Sequence, residues 1–288
     1  MSVRQRKGKR GKEKRKIYKV ITCYNIMENE IIKNTIKVGN SAGVLLPKEW
    51  LNTQVKVILQ PLNIKKEVLE ILIEENILKN LLGAYITGSY ARNEQTIESD
   101  VDILAITDSI NKKIKKGRYE IIVISRENAE KQLKTNILPL LPMIKEAKVI
   151  INDALIKRYL NTSLTEKNLK WYVDTTKSRI KKIKEDINLY KKAGESYMSD
   201  NIAYILILRL RSLYILDSMK KGKAWKKTCF LSLVKRISGS LKAYEGYLRS
   251  KNNERVRNEL PVEEAEKIAC YISKEVIKLE KWLRERKD

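Results

Sequence analysis

Hydrophobic and polar positions change their spacing several times along the chain. From Ile31 to Pro61, "IIKNTIKVGNSAGVLLPKEWLNTQVKVILQP" carries β-branched, alternating runs. "NTIKVG" and "VKVIL" read as strands, with a turn, a third short strand and a Pro47-initiated helical turn between them. From Asn63 the period lengthens. Val68, Ile71, Leu72, Ile77 and Leu81 supply much of the apolar stripe of a helix, with Gly83 just past its end. "AYIT" (Ala84–Thr87) is then a short strand, and "GSYARNE" a turn opening a helical turn. Asp100–Thr107 and Arg118–Ser125 follow as strands, joined by a charged loop, "DSINKKIKKG". A polar helix, "RENAEKQLKTN", and a last strand near Ala147–Asp153 complete a small α/β module of mixed sheet.

Beyond Ile156 the pattern is helical throughout. Val173, Thr176, Ile180, Ile183, Ile187 and Tyr190 step by three and four along one face of a long helix. Ile202–Leu216 is apolar nearly all round, interrupted by Arg209 and Arg211, as expected of the central helix in a bundle. Lys223–Ser238 and Ser240–Ser250 are shorter helical segments parted by Gly239. Ala265, Ile268, Ile272, Val276 and Leu279 mark a stripe within Pro261–Trp282. The expected architecture is multidomain α+β: a basic tail (1–20), a small β domain (21–62), an α/β domain (63–156) and an all-α bundle (157–288).

Charge narrows the partners. The 288 residues include 60 Lys+Arg against 35 Asp+Glu, a net charge of +25 that favours polyanions. "MSVRQRKGKRGKEKRKIYK" at the N-terminus has almost nothing to bury and reads as disordered, serving either solubility or as a phosphate-tracking arm. Histidine is absent, which excludes Ser-His-Asp and Cys-His catalysis, His-ligated metals and His acid–base chemistry. Cys23, Cys229 and Cys270 lie far apart and read as reduced thiols. With no signal peptide and no apolar run long enough to span a bilayer, a cytoplasmic protein is expected.

"GSYARNEQTIESDVDIL" (Gly88–Leu104) carries the chemistry. On a strand, residues two apart point to one face, so Asp100 and Asp102 are expected side by side, with Val101 and Ile103 in the opposite layer. Two adjacent carboxylates repel each other, and burial makes that worse. A Mg²⁺ ion, usually held by one or two carboxylates plus substrate phosphates, resolves the conflict. Glu120, on the neighbouring strand, is placed to complete the set. Gly88 lets the backbone approach a phosphate, and Ser89 offers a hydroxyl and an N–H at the start of a helical turn.

Gly88, Ser89, Ala91, Arg92, Glu94, Ser99, Asp100 and Asp102 together resemble the signature of the DNA polymerase beta-like nucleotidyltransferase superfamily. The likeness is greatest to its minimal members with G-S-x-A-R-G-E, a spacer and S-D-x-D-L. Asn93 stands where that pattern has Gly, a mild departure because Asn tolerates left-handed backbone angles. The family's third carboxylate is usually Asp, here Glu120. The resemblance implies two-metal phosphoryl transfer from a nucleoside triphosphate, with ATP the expected donor. Asp100, Asp102 and Glu120 would be the catalytic and metal-binding residues, and Gly88, Ser89 and Arg92 the nucleotide-binding ones. Separately, Val38–Gly43, "VLLPKEWL" and "VKVIL" resemble the swapped-hairpin domain of the AbrB/SpoVT family, which implies a homodimer and a DNA-binding surface.

Three functions follow from these readings. The first is a nucleotidyltransferase that modifies a hydroxyl of RNA or protein, in keeping with minimal nucleotidyltransferases that act as antitoxins. The second is an AbrB-like DNA-binding regulator whose middle domain senses nucleotide. The third, transfer to an antibiotic hydroxyl, gains no support from the basic surface. Lacking histidine, the helical domain cannot carry a HEPN nuclease site.

Overall fold

The computed structural model describes residues 31, 33, 35–58, 63–97 and 99–285. The expected tail (1–20) lies outside them. The chain divides into two compact units, Met1–Pro61 and Leu62–Asp288.

In the first unit, β1 (Ile36–Val38) and β2 (Ser41–Gly43) pair antiparallel, with Ile36 opposite Gly43 and Val38 opposite Ser41. Gly39, at φ +58°, makes the intervening turn, a backbone state that costs glycine nothing. Pro47 precedes a 3₁₀ turn, Lys48–Trp50. The expected closing strand is not formed: Val55–Ile58 have no regular secondary structure, and Val57 and Ile58 are 78% and 68% exposed. A strand with no neighbour leaves its backbone groups unpaired, so alternation alone does not fix it.

The second unit begins with α1 (Ile64–Glu74), capped by the Asn63 side chain, which accepts from the Lys66 N–H. Asn76, at φ +57°, turns the chain out of the helix, seven residues before the expected Gly83. A 3₁₀ turn, Leu78–Asn80, then leads into β3 (Leu81–Thr87), so Leu81 and Gly83 belong to a strand. After α2 (Gly88–Arg92) come β4 (Val101–Thr107), β5 (Lys112–Lys116) and β6 (Tyr119–Ser125). Helices α3 (Arg126–Thr135) and α4 (Leu141–Glu146), strand β7 (Lys148–Ile151) and helix α5 (Asp153–Leu160) close this part.

The mixed sheet runs β5-β6-β4-β3-β7, with β4 and β6 parallel and the other pairs antiparallel. The lysine-rich segment expected as a loop forms edge strand β5: Ile114 turns inward while the flanking lysines face water. Lysines on an edge discourage pairing with another chain. One sheet face, with Val101, Ile103, Ala105 and Ile121, packs on Val68, Ile71 and Leu72 of α1. The other, with Tyr85, Leu104 and Ile106, shares a single core with the remaining helices.

Those helices are α6 (Glu166–Lys192), α7 (Asp200–Lys220), α8 (Lys227–Ser238), α9 (Lys242–Lys251) and α10 (Val262–Arg284). The stripe read on α6 is buried at Val173, Thr176, Ile180, Ile183 and Ile187, and that on α10 at all five expected positions. A pair of two-residue strands, β8 (Tyr197–Met198) and β9 (Leu260–Pro261), ties the start of α7 to that of α10. No helix among the described residues is long and apolar enough to cross a membrane.

Candidate active site

Register assembles the centre of the site. Thr87 on β3 lies opposite Asp102 on β4, Asp102 beside Glu120 on β6, and Glu120 opposite Lys115 on β5. Residues in register share a face, so Asp102 and Glu120 project together from neighbouring parallel strands. Val101 and Ile103 are fully buried on the opposite face. Asp100 departs from expectation: β4 begins at Val101, leaving Asp100 exposed just ahead of the strand. Strand ends fray where ladder pairing stops, and Asp100 sits one residue beyond it.

Gly88 stands directly over Asp102. Its φ is +67°, and an added Cβ would meet Asp102 Oδ2 at 2.0 Å, so glycine alone fits. Asn93 takes the left-handed conformation at the end of α2, φ +57°, as its place in the motif suggests. Its side-chain oxygen accepts from Lys148 Nζ at 2.6 Å.

Charge is unevenly settled among the acidic groups. Burial pushes the Asp102 carboxyl above the ordinary carboxylate range, and Glu120, Asp100 and Glu146 push it further, with Lys251 of α9 opposing them. Glu120 lies below that range, chiefly because Lys115 Nζ donates to its Oε1 at 2.9 Å, assisted by Lys113. Among the described residues no three acidic side chains form a ready-made metal site. What fits a divalent cation is the donor chemistry: hard oxygens meet at Asp102, a carboxylate that has no ion pair among the described residues.

Arg92, expected to contact nucleotide, is engaged by two glutamates here. Its Nε donates to Glu94 at 2.8 Å and its Nη1 to Glu146 at 2.5 Å. Glu146 also accepts from the Gly88 N–H at 2.6 Å and from Trp225 Nε1 at 3.1 Å. Glu94 accepts from the Lys227 N–H at 2.8 Å. Two motif residues thus tie the Gly-Ser turn to the helical region. Glu146, Trp225 and Lys251 were not legible as site residues, because each reaches the turn or Asp102 from dozens of residues away. Glu94 was visible as part of the motif, though its partner was not.

Residues 63–161 match the family described as nucleotidyltransferase domain. That domain makes the chain a transferase enzyme. Two solved structures bear a remote likeness to the chain. One is a nucleotidyltransferase-like protein from Exiguobacterium sibiricum 255-15, at 16% identity over 78% of this chain and 81% of that one, with a TM-score of 0.35. The other is the spectinomycin adenyltransferase from Enterococcus faecialis with ATP and spectinomycin, at 14% identity over 74% and 98%, with a TM-score of 0.39. No curated protein gives a significant match.

Proposed function

We propose that the chain transfers a nucleoside monophosphate from a nucleoside triphosphate, with ATP the expected donor, to a hydroxyl of RNA or protein, releasing pyrophosphate. The observation that carries this reading is the register of Asp102 beside Glu120 beneath Gly88. There, Asp102 is crowded by neighbouring carboxylates and has no ion pair of its own among the described residues. Asp100, Asp102 and Glu120 would hold Mg²⁺, two ions by family pattern, which would supply positive charge to the reacting phosphoryl oxygens.

The chain's own groups divide the remaining work. Gly88 and Ser89 receive the triphosphate tail, with Gly88 giving close backbone approach. Glu120, kept ionised by Lys115 and Lys113, takes the proton of the attacking hydroxyl. Lys251, whose charge already acts on Asp102, faces the anionic substrate. Arg92 holds the turn in place through Glu94 and Glu146 and contacts phosphate only if Glu146 releases it. The first unit is proposed as an AbrB-like dimerisation module with DNA as a further partner. Its exposed Leu45, Val57 and Ile58 would be covered by a second copy.

Incubation with α-labelled nucleoside triphosphates, Mg²⁺ and a cell extract tests the enzyme reading. Label should enter an acceptor sensitive to ribonuclease or to protease. Asp100→Ala combined with Asp102→Ala should lower transfer at least ~10³-fold, a loss of about 4 kcal/mol in transition-state stabilisation. If the unaltered chain labels nothing while binding a defined DNA in a salt-sensitive way, the regulator reading replaces it.

A further inference from the structure

Arg209 interrupts the long apolar run of α7, and nothing in the site above uses it. It is half-buried where α7 meets α6. Its Nη1 donates to Thr175 Oγ1 at 3.1 Å and to Thr176 Oγ1 at 3.2 Å. The guanidinium carbon lies 5.8 Å from the centre of the Trp171 ring and 5.7 Å from that of Tyr172. Among the described residues it has no carboxylate partner. Burial lowers its pKa, the Tyr172 hydroxyl opposes that, and the cation Arg179 lowers it again.

Other sheltered arginines of this chain are treated differently. Arg92 holds two glutamates, and Arg249 holds Asp200 in a fork. A guanidinium drawn from water beside a like charge is costly unless something anionic completes it. Ring contacts and two hydroxyls offset part of that cost but leave most of its donors without a protein acceptor.

The surroundings specify the anion. Trp171, Thr175 and Arg179 recur at steps of four, so they form one ridge of α6. Trp171 is 54% exposed, and on α7 Leu208, beside Arg209, is 40% exposed. A half-exposed indole next to two arginines with no carboxylate partner among the described residues offers a stacking face and phosphate donors together. Phosphodiester linkages with unpaired bases satisfy both at once, and the net charge of +25 draws such a polyanion in. We propose that Trp171, Arg179 and Arg209 form a docking surface for single-stranded nucleic acid. The surface shares no residue with the carboxylate site, and its argument does not rest on the catalytic reading.

The test uses the full chain without nucleotide. Fluorescence anisotropy is followed with labelled oligo-U, oligo-dT and a duplex of equal length, at about 50 and 200 mM salt. Both partners of the variants are exposed residues, and thermal melts establish that each variant folds. Trp171→Ala and Arg179→Gln should each weaken single-strand binding about tenfold, while Trp171→Phe retains it. Lys267→Gln, which removes an exposed charge on α10, should change it less than about twofold. Tighter binding of oligo-U than oligo-dT would assign RNA; equal binding would assign any single strand. The proposal is overturned if Trp171→Ala and Arg179→Gln weaken binding no more than Lys267→Gln. It also fails if the duplex binds as tightly as the single strands, or if polyglutamate of matched charge competes equally.

Discussion

Asp102 and Asp200 are both drawn away from water, and the fold treats them in opposite ways. Asp200 is wholly buried at the start of α7, where Arg249 grips both its oxygens at 2.9 Å and the Arg257 N–H donates at 3.0 Å. The Arg249 contact, working against burial, holds its carboxyl below the ordinary range. Asp102 forms no ion pair among the described residues and is raised, by burial first and then by three carboxylates. A carboxylate that serves architecture is supplied with its counter-charge by the fold itself. On the proposed reading, one left in conflict with its neighbours awaits a charge that arrives with substrate, and the difference separates the two carboxylates without reference to any motif.

The largest expected effect lies on the structural side. Arg249→Met strands the Asp200 carboxylate in the interior and should cost about 3–5 kcal/mol, read from urea unfolding. A cost below about 1 kcal/mol, the range of surface pairs, would break the contrast. Gly88→Ala comes next. Its methyl group would push into the Asp102 carboxylate, so transfer should fall about 10²-fold while the chain stays folded. Retained activity would mean that the turn does not need its close approach.

The smallest effect has the opposite sign. Asp102→Asn should raise the melting temperature at neutral pH by about 2–4 °C for each kcal/mol of relieved repulsion, although it removes a proposed metal ligand. The folded chain binds the Asp102 proton more tightly than the unfolded chain. Ionisation therefore subtracts stability as pH rises from the ordinary carboxylate range through the raised folded value. The Asn variant's advantage should thus be full at neutral pH and vanish under acid conditions. Asp200, with its lowered value, should contribute stability above the ordinary range and lose it as pH falls through the depressed one. Melting curves for Asp102→Asn and Arg249→Met across pH, each relative to the unaltered chain, would show the two slopes running in opposite directions.

Legibility followed the range of the interaction. The stripes of α6 and α10 and the strands β4 and β6 matched their spacing because those signals lie within a few turns or one strand. Boundaries were less secure. Asn76 rather than Gly83 ends the turn after α1, since either residue accepts left-handed angles and the choice depends on where β3 finds its ladder. "KKIKK" looked like a loop from its charge, but one inward Ile114 and a partner strand suffice for β5. Val55–Ile58 erred in the other direction, with a strand pattern but no ladder pairing among the described residues.

The sequence by itself determined the kind of chemistry: a glycine that must lie close to something, a hydroxyl beside it, and carboxylates on alternating positions with no histidine to share the work. Period-two spacing is a local property, so it placed Asp102 and Glu120 on candidate faces before any fold was known. The tertiary structure alone decided the neighbours. Parallel pairing of β4 with β6 put Glu120 beside Asp102, α4 carried Glu146 to the Gly88 N–H, and α9 brought Lys251 to bear on the same aspartate. The field at a carboxylate depends on groups a few ångströms away in space, whatever their separation along the chain, and spacing within one segment does not encode that distance.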